Sequence, residues 1–340
     1  KGDYRLPVKL NDIYVAHYLQ ALEIRKKAHE MLAIWGGRMP PQTAMVVGGV
    51  TCKPTVDKIA AFLWRLREIQ AFVKDVYIPD VLGVADAYSD YKNIGRGYGN
   101  LLAYGGFPLE VTGKEKLFKS GRFIKDRIMS FDIGKITEDV KYSKYKDSTT
   151  GKKPAEGMTE PDVEKNGGYS WMKAPRYEGQ PYEVGPLARM WINGDYRQGI
   201  SVIDRHAARA LEAKKVADAM EEWVMQLKPG EPAYAESKLP DAAEGVGLTE
   251  GARGALGHWI KISGKKIENY QAVVPTTWNC GPRDDKGVRG PVEEALVGTP
   301  IVDTDNPLEV VRIVRSFDPC IACAVHLIKP SGEIKKFRVI

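Results

Sequence analysis

The segment Asp318-Pro319-Cys320-Ile321-Ala322-Cys323-Ala324-Val325-His326 places two thiols and an imidazole close together, in a chain with only 4 cysteines among 340 residues. Two cysteines with two residues between them can turn both sulfurs toward one soft or borderline metal such as nickel, zinc, copper(I) or iron. A structural zinc site needs two further ligands, usually a second Cys-x-x-Cys or a histidine pair, and the sequence offers no such pair. A thioredoxin-like redox pair needs a strand–turn–helix setting that is missing here. Haem attachment needs histidine directly after the second cysteine, whereas His326 comes three residues later. Metal binding, redox chemistry and no special role therefore all stay open from the pattern alone. Asp318-Pro319 predicts a rigid approach, because proline locks φ and drives the residue before it extended.

The elements that must carry this motif are mostly helical. The segment from Asp12 to Gly37 reads as an amphipathic helix, with Val15, Tyr18, Leu19, Leu22 and Ile24 near one stripe and Gly36-Gly37 as its stop. A loop around a short apolar strand follows, then a second helix capped by Thr55 and running to Tyr77, and a third from Pro79 through Tyr88. Between about Gly95 and Gly185 short β-like pieces alternate with Gly-, Pro- and Lys-rich loops, which reads as irregular elaboration. A long helix is expected over Ile200–Leu227, ended by Pro229-Gly230, and then a hairpin turning at "SGKK". Short helices over Val292–Val297 and Leu308–Arg315 lead into the cysteines. The fold class is mainly α with minor antiparallel β, an α+β arrangement without internal repeats.

Composition excludes several classes. With 43% apolar and 28% charged residues the chain is globular, and 50 basic residues against 44 acidic ones leave no clustered basic patch for nucleic acid. No apolar run reaches the ~18–20 residues of a membrane span. The opening "KGDYRLPVKL" has neither an initiating methionine nor an apolar signal region, as expected of a processed product, a fragment or one half of a split subunit. Four cysteines are too few for a disulfide scaffold, and they do not indicate a compartment. Cys52 and Cys280 read as small core residues, and His17, His29, His206 and His258 as ordinary core or surface imidazoles.

"DPCIACAVH" resembles the C-terminal motif of the nickel-iron hydrogenase large subunit in its Asp-Pro-Cys-x-x-Cys-x-x-His form. "YSWMKAPRYEGQPYEVGPLAR" (Tyr169–Arg189), "RGALGHWI" (Arg253–Ile260) and "KIENYQAVVPTTWNCGPRD" (Lys266–Asp284) are similar to that family's later signatures, in the same order, and closest to its respiratory, uptake-type members.

The resemblance implies a helical core like that of the family's large subunit, with peripheral β and loop elaboration. It implies reversible heterolytic cleavage of H2 at a nickel–iron centre whose iron carries CO and CN ligands. Cys320 would be a terminal nickel ligand and first proton acceptor, and Cys323 a bridge between the metals. Arg253 would hang its guanidinium over the open metal position, with Asp318 holding its orientation. Pro275 and Thr276 would line the pocket of the diatomic ligands, the Thr276 hydroxyl donating to a cyanide. His326 and the carbonyl of Ala272 would hold a buried magnesium or iron ion. Iron–sulfur clusters would lie only in a partner small subunit, which takes the electrons. Relatives of this type are exported with that partner, which implies a periplasmic or membrane-associated location. Two other readings are a hydrogen-sensing regulator of low turnover and a structural protein holding zinc through Cys320, Cys323 and His326.

Departures from the family pattern carry their own expectations. The family's other Cys-x-x-Cys is absent, so residues 1–326 correspond to the C-terminal portion of a large subunit, completed by a polypeptide that supplies the N-terminal portion. Gly251-Ala252 stands where the family often has Ala-Pro, which predicts a looser turn and a roomier pocket. "LIKPSGEIKKFRVI", residues 327–340, corresponds to the extension that a maturation endopeptidase removes after nickel insertion.

Overall fold

Helix formation follows the apolar periodicity over much of the chain. The computed structural model describes residues 3–320, 324–328 and 334–338. These fall into two compact units, residues 1–89 with 209–239 and residues 90–208 with 240–340.

The first unit is built on helices α1 (Val8–Gly36), α2 (Val56–Phe72), α3 (Ile78–Ala87) and the C-terminal part of α5 (Val202–Met225), with a small hairpin of β1 (Met45–Val46) and β2 (Gly49–Val50). Met31, Phe62, Leu66, Ala217 and Val224 form its core. Between α2 and α3 the path stays helical through a π-turn at Val73–Tyr77, so the expected break before Pro79 is absorbed rather than opened. Proline removes an i→i−4 bond, and a π-turn re-registers the ladder around that loss. The predicted stripe of α1 divides in two. Ile24 is half-buried, while Val15, Tyr18, Leu19 and Leu22 are exposed. At about 100° per residue Ile24 points away from the other four.

The second unit holds most of the strands. Strands β3 (Leu101–Ala103), β6 (Gly121–Ile124) and β7 (Arg127–Met129) form one sheet, β4 (Gly106–Pro108) pairs with β5 (Lys116–Phe118), and β8 (Ile136–Asp139) with β9 (Ala174–Tyr177). A three-stranded antiparallel sheet joins β10 (Ala242–Gly251), β11 (Gly254–Ser263) and β12 (Lys266–Val273). The hairpin expected at "SGKK" is the β11–β12 connection, with Gly264 and Lys265 both at positive φ (56° and 60°), as tight primed turns require. Strand β10 went unforeseen because its glycines and acidic residues carry little β-propensity. β13 (Ala324–Ile328) pairs with β14 (Ile334–Arg338), placing His326 opposite Lys336.

The region read as elaboration supplies the core of this unit. Leu102, Tyr104, Ile136, Tyr177, Tyr182, Val184, Ala255, Trp259, Val273 and Trp278 pack as one buried cluster. Around it sit the short helices α4 (Pro186–Asn193), α6 (Pro275–Cys280), α7 (Pro291–Leu296) and α8 (Leu308–Ser316). α7 and α8 match the sequence expectation to within about a residue, whereas α4 and α6, each opened by proline, were hidden in the signature segments.

A buried ion pair ties α5 to the strand region. Arg205 grips Glu183 through both carboxylate oxygens at 2.8 and 2.7 Å and donates to the Gly95 carbonyl at 2.7 Å. Its guanidinium also lies 3.7 Å from the centre of the Phe317 ring, at the end of α8. Removing one member of such a pair strands the other in low dielectric. Glu183→Ala is expected to cost ~3–5 kcal/mol in denaturant unfolding, and Glu183→Leu with Arg205→Met to recover most of it.

Candidate metal-binding site at the end of helix α8

The site begins with the two-residue turn between β10 and β11, Ala252-Arg253, closed by the Gly251–Gly254 pair. Neither turn residue takes positive φ, so this is not a primed turn that closes a tight hairpin on its own. Arg189 supplies the support from α4. It pairs with Glu250 at 2.8 Å, both side chains being at most 3% exposed, and donates to the carbonyls of Gly251 (2.9 Å) and Ala252 (3.0 Å). The other Glu250 oxygen accepts from the Tyr104 amide at 2.6 Å. The turn expected to be loose for want of proline is thus clamped from behind, because a buried guanidinium satisfies two of its carbonyls.

Two glycines allow the backbones to meet there. Gly254 sits at φ 131°, and a Cβ on it would fall 2.6 Å from the Gly185 nitrogen. Gly185 sits at φ 128°, and a Cβ on it would fall 3.0 Å from the Arg253 carbonyl oxygen. On the other side Asn279 of α6 exchanges both amide hydrogen bonds with the Val184 backbone at 2.9 Å. Arg176 in β9 pairs with Asp284 at 2.9 Å, fully buried, and bonds the Val288 carbonyl at 2.9 Å. The signature segments of the sequence therefore meet in space through buried polar contacts.

Onto this frame the end of α8 delivers Asp318 and Cys320. The Asp318 amide bonds the Arg315 carbonyl at 2.9 Å, continuing the last turn, and Asp318 adopts φ 51°. This corrects the expected extended geometry before Pro319. The helix end turns left-handed here, a conformation that aspartate tolerates better than most residues. The result points the Asp318 carbonyl at Arg253, whose Nε donates to it at 2.7 Å while Nη2 lies 3.4 Å from the carboxylate. Both side chains are more than a third exposed, so the pair orients Arg253 more than it stabilises the fold.

The Cys320 amide donates to the Thr276 hydroxyl at 3.2 Å, in the first turn of α6 beside Pro275. Thr276 is buried, and because its oxygen accepts this bond its proton is left to donate elsewhere. The Cys320 thiol is free and exposed. The Arg253 guanidinium and the Thr276 hydroxyl thus both bond the Asp318–Cys320 segment, which carries an exposed thiol of a kind that binds soft or borderline metals. Among the described residues no group of three or more His, Cys, Asp or Glu gathers, so any such metal draws further ligands from elsewhere.

Ala272 lies exposed in β12, opposite His258. Cys323 and the side chain of His326 lie outside the described residues. His17 and His258 have local partners, Asp80 at 2.8 Å and the Tyr270 hydroxyl at 2.7 Å. Cys52 is half-buried and accepts from Lys58 at 3.1 Å. Sequence reasoning overlooked Arg189, Glu250 and Asn279, and the available signal was their position inside or beside the signature segments.

The family model described as nickel-dependent hydrogenase matches residues 1–199 and 192–326. The chain is 44% identical to the periplasmic [NiFeSe] hydrogenase large subunit of Desulfomicrobium baculatum over 338 residues, covering 92% of this chain and 65% of that protein. It is 36% identical to the uptake hydrogenase large subunit of Bradyrhizobium diazoefficiens, covering 99% and 68%. It superposes on the Ni-Fe-Se hydrogenase of D. vulgaris Hildenborough in the reduced state with a TM-score of 0.91 at 42% identity, covering 94% and 71%. The chain thus spans about two thirds of the length of these relatives.

Thr276→Val removes the acceptor of the Cys320 amide, whereas Thr276→Ser retains it. Hydrogen exchange read by mass spectrometry is expected to speed up ~10-fold at that amide in the valine variant and to stay at the native rate in the serine variant.

Proposed function

The chain belongs to the nickel-dependent hydrogenase family, and we propose that it is the catalytic portion of a large subunit that cleaves H2 reversibly at a nickel–iron centre. The observation that carries this reading is that Arg253 and Thr276 both bond the Asp318–Cys320 segment that follows α8. Cys320 and Cys323 would hold the metals as thiolates, with the remaining thiolates coming from the polypeptide that supplies the rest of the large subunit. Nickel and iron, once bound, supply the redox and Lewis-acid chemistry that separates H2 into protons and electrons.

This chain's residues have distinct tasks in that reaction. The Cys320 sulfur would accept the first proton, since a thiolate that holds a metal is already deprotonated. Arg253 would offer a permanent charge and a fixed set of donors to the metal group and its substrate. The Asp318 carbonyl holds that guanidinium through Nε, with Nη2 3.4 Å from the Asp318 carboxylate, and so sets the direction in which the guanidinium would face the substrate. Thr276 holds the Cys320 backbone, and its own proton would be available to a cyanide ligand of the metal group, with Pro275 lining the same pocket. His326 and the Ala272 carbonyl would hold a magnesium or iron ion.

Electrons leave through an iron–sulfur small subunit, in keeping with relatives named as large subunits. Residues 327–340 would be removed by a maturation endopeptidase. A periplasmic location is supported by the relative named periplasmic, and among the described residues no helix is long and apolar enough to cross a membrane.

The complex purified without oxygen is expected to contain nickel stoichiometric with the chain, and Cys320→Ser to lose it. Arg253→Lys is expected to keep the nickel and slow H2-dependent dye reduction by ~100-fold or more. Zinc in place of nickel in the native complex overturns the reading.

A further inference from the structure

Asp318 holds a backbone form that its sequence disfavours. Proline at 319 drives the residue before it toward extended backbone, yet Asp318 sits at φ 51°. A residue other than glycine keeps a left-handed conformation only where its surroundings enforce it. On the C-terminal side Arg253 bonds the Asp318 carbonyl and Thr276 accepts the Cys320 amide. On the other side α8 ends at Ser316, so Ser316 and Phe317 carry the restraint. Both are buried.

Arg205 meets both of them. Its Nη1 donates to the Ser316 hydroxyl at 3.5 Å, and its guanidinium carbon stands 3.7 Å from the centre of the Phe317 ring. That is direct contact, well inside the ~6 Å over which a cation is drawn to a ring face. The same guanidinium is fixed by both Glu183 oxygens and by the Gly95 carbonyl, at 2.8, 2.7 and 2.7 Å. Glu183 is fixed in turn. Its amide donates to the Asn100 carbonyl at 2.9 Å, and its neighbour Val184 exchanges two bonds with Asn279 of α6. A planar cation pinned along its edge cannot swing, so the ring against it gives the end of α8 one orientation. The path closes on itself, because α6 carries both Asn279 and Thr276.

We propose that Arg205 is a positioning residue for the metal-binding segment. By holding Phe317 it keeps Asp318 in the left-handed form, and this keeps the Cys320 amide on Thr276 and the thiol exposed for a metal. The proposal rests on the nickel–iron reading for what Cys320 does, whereas the backbone that it explains is set without a metal.

Stability and position are separable at this pair. Apolar replacement of a buried ion pair restores most of its stability, but neither leucine nor methionine has a flat face fixed by hydrogen bonds. In the full 340-residue chain, Glu183→Leu/Arg205→Met is expected to melt close to the native temperature. Hydrogen exchange read by mass spectrometry should then speed up ~10-fold at the Cys320 amide and stay at the native rate in β11. Phe317→Leu, which leaves the ion pair intact, is expected to raise the rate of the same amide, and it carries the test if the double variant does not fold. A native rate at Cys320 in either folded variant overturns the proposal. So does an increase shared equally by β11, which marks a loosening of the whole unit. The functional reading is measured separately, as nickel in the complex purified without oxygen. Native complex that holds nickel while the double variant binds it ~10–100-fold more weakly supports both. Native complex without nickel sinks the functional reading alone and leaves the exchange result standing.

Discussion

The buried contact between Arg189 and Glu250 is the constraint on which the site depends. One guanidinium answers one carboxylate and two turn carbonyls, and all of it is out of water. Without it the Gly251 and Ala252 carbonyls of the turn would lose this partner, and the backbone that presents Arg253 to Asp318 would be less firmly held. The glycines at 185 and 254 let the two backbones come close enough for Arg189 to reach. Position is thus transmitted from α4 to the turn and from the turn to the arginine that faces Asp318.

Such pairs are expensive ways to stabilise a fold. Desolvating two charges offsets much of their attraction, and apolar replacements often do as well or better. Arg189–Glu250, Arg205–Glu183 and Arg176–Asp284 nonetheless all lie in the second unit, each with side chains no more than 7% exposed. What they provide is direction. A guanidinium fork donates to carboxylates and carbonyls in its own plane, so it holds a turn in one orientation. Apolar packing of equal strength would let these irregular loops slide.

The site itself contrasts with its foundations. Cys320 is exposed and the Arg253–Asp318 pair is open to solvent, while Thr276 and Asn279 just beneath are buried. A soft, accessible thiol thus sits on a rigid, charge-locked base.

Much of this is legible in the order of the residues. The helix periodicities place α1, α2, α5, α7 and α8 to within a few residues, since 3.6-residue spacing needs no tertiary information. The spacing of Cys320 and Cys323 leaves metal binding, redox chemistry and no special role open, and the order of the signature segments points to the family. Strand β10, the left-handed turn at Asp318, the clamp of Arg189 and the outward stripe of α1 are not legible there. A glycine-rich strand has no propensity signal until β11 pairs with it. An arginine in a loop-and-helix segment looks the same whether it faces water or a buried glutamate far along the chain. An apolar stripe in sequence says that something is to be covered, and only the folded chain shows which of two stripes already is. The sequence by itself determined the chemistry of the groups, because side-chain type and spacing are local. The tertiary structure decided their direction, because burial and pairing depend on which distant segments meet.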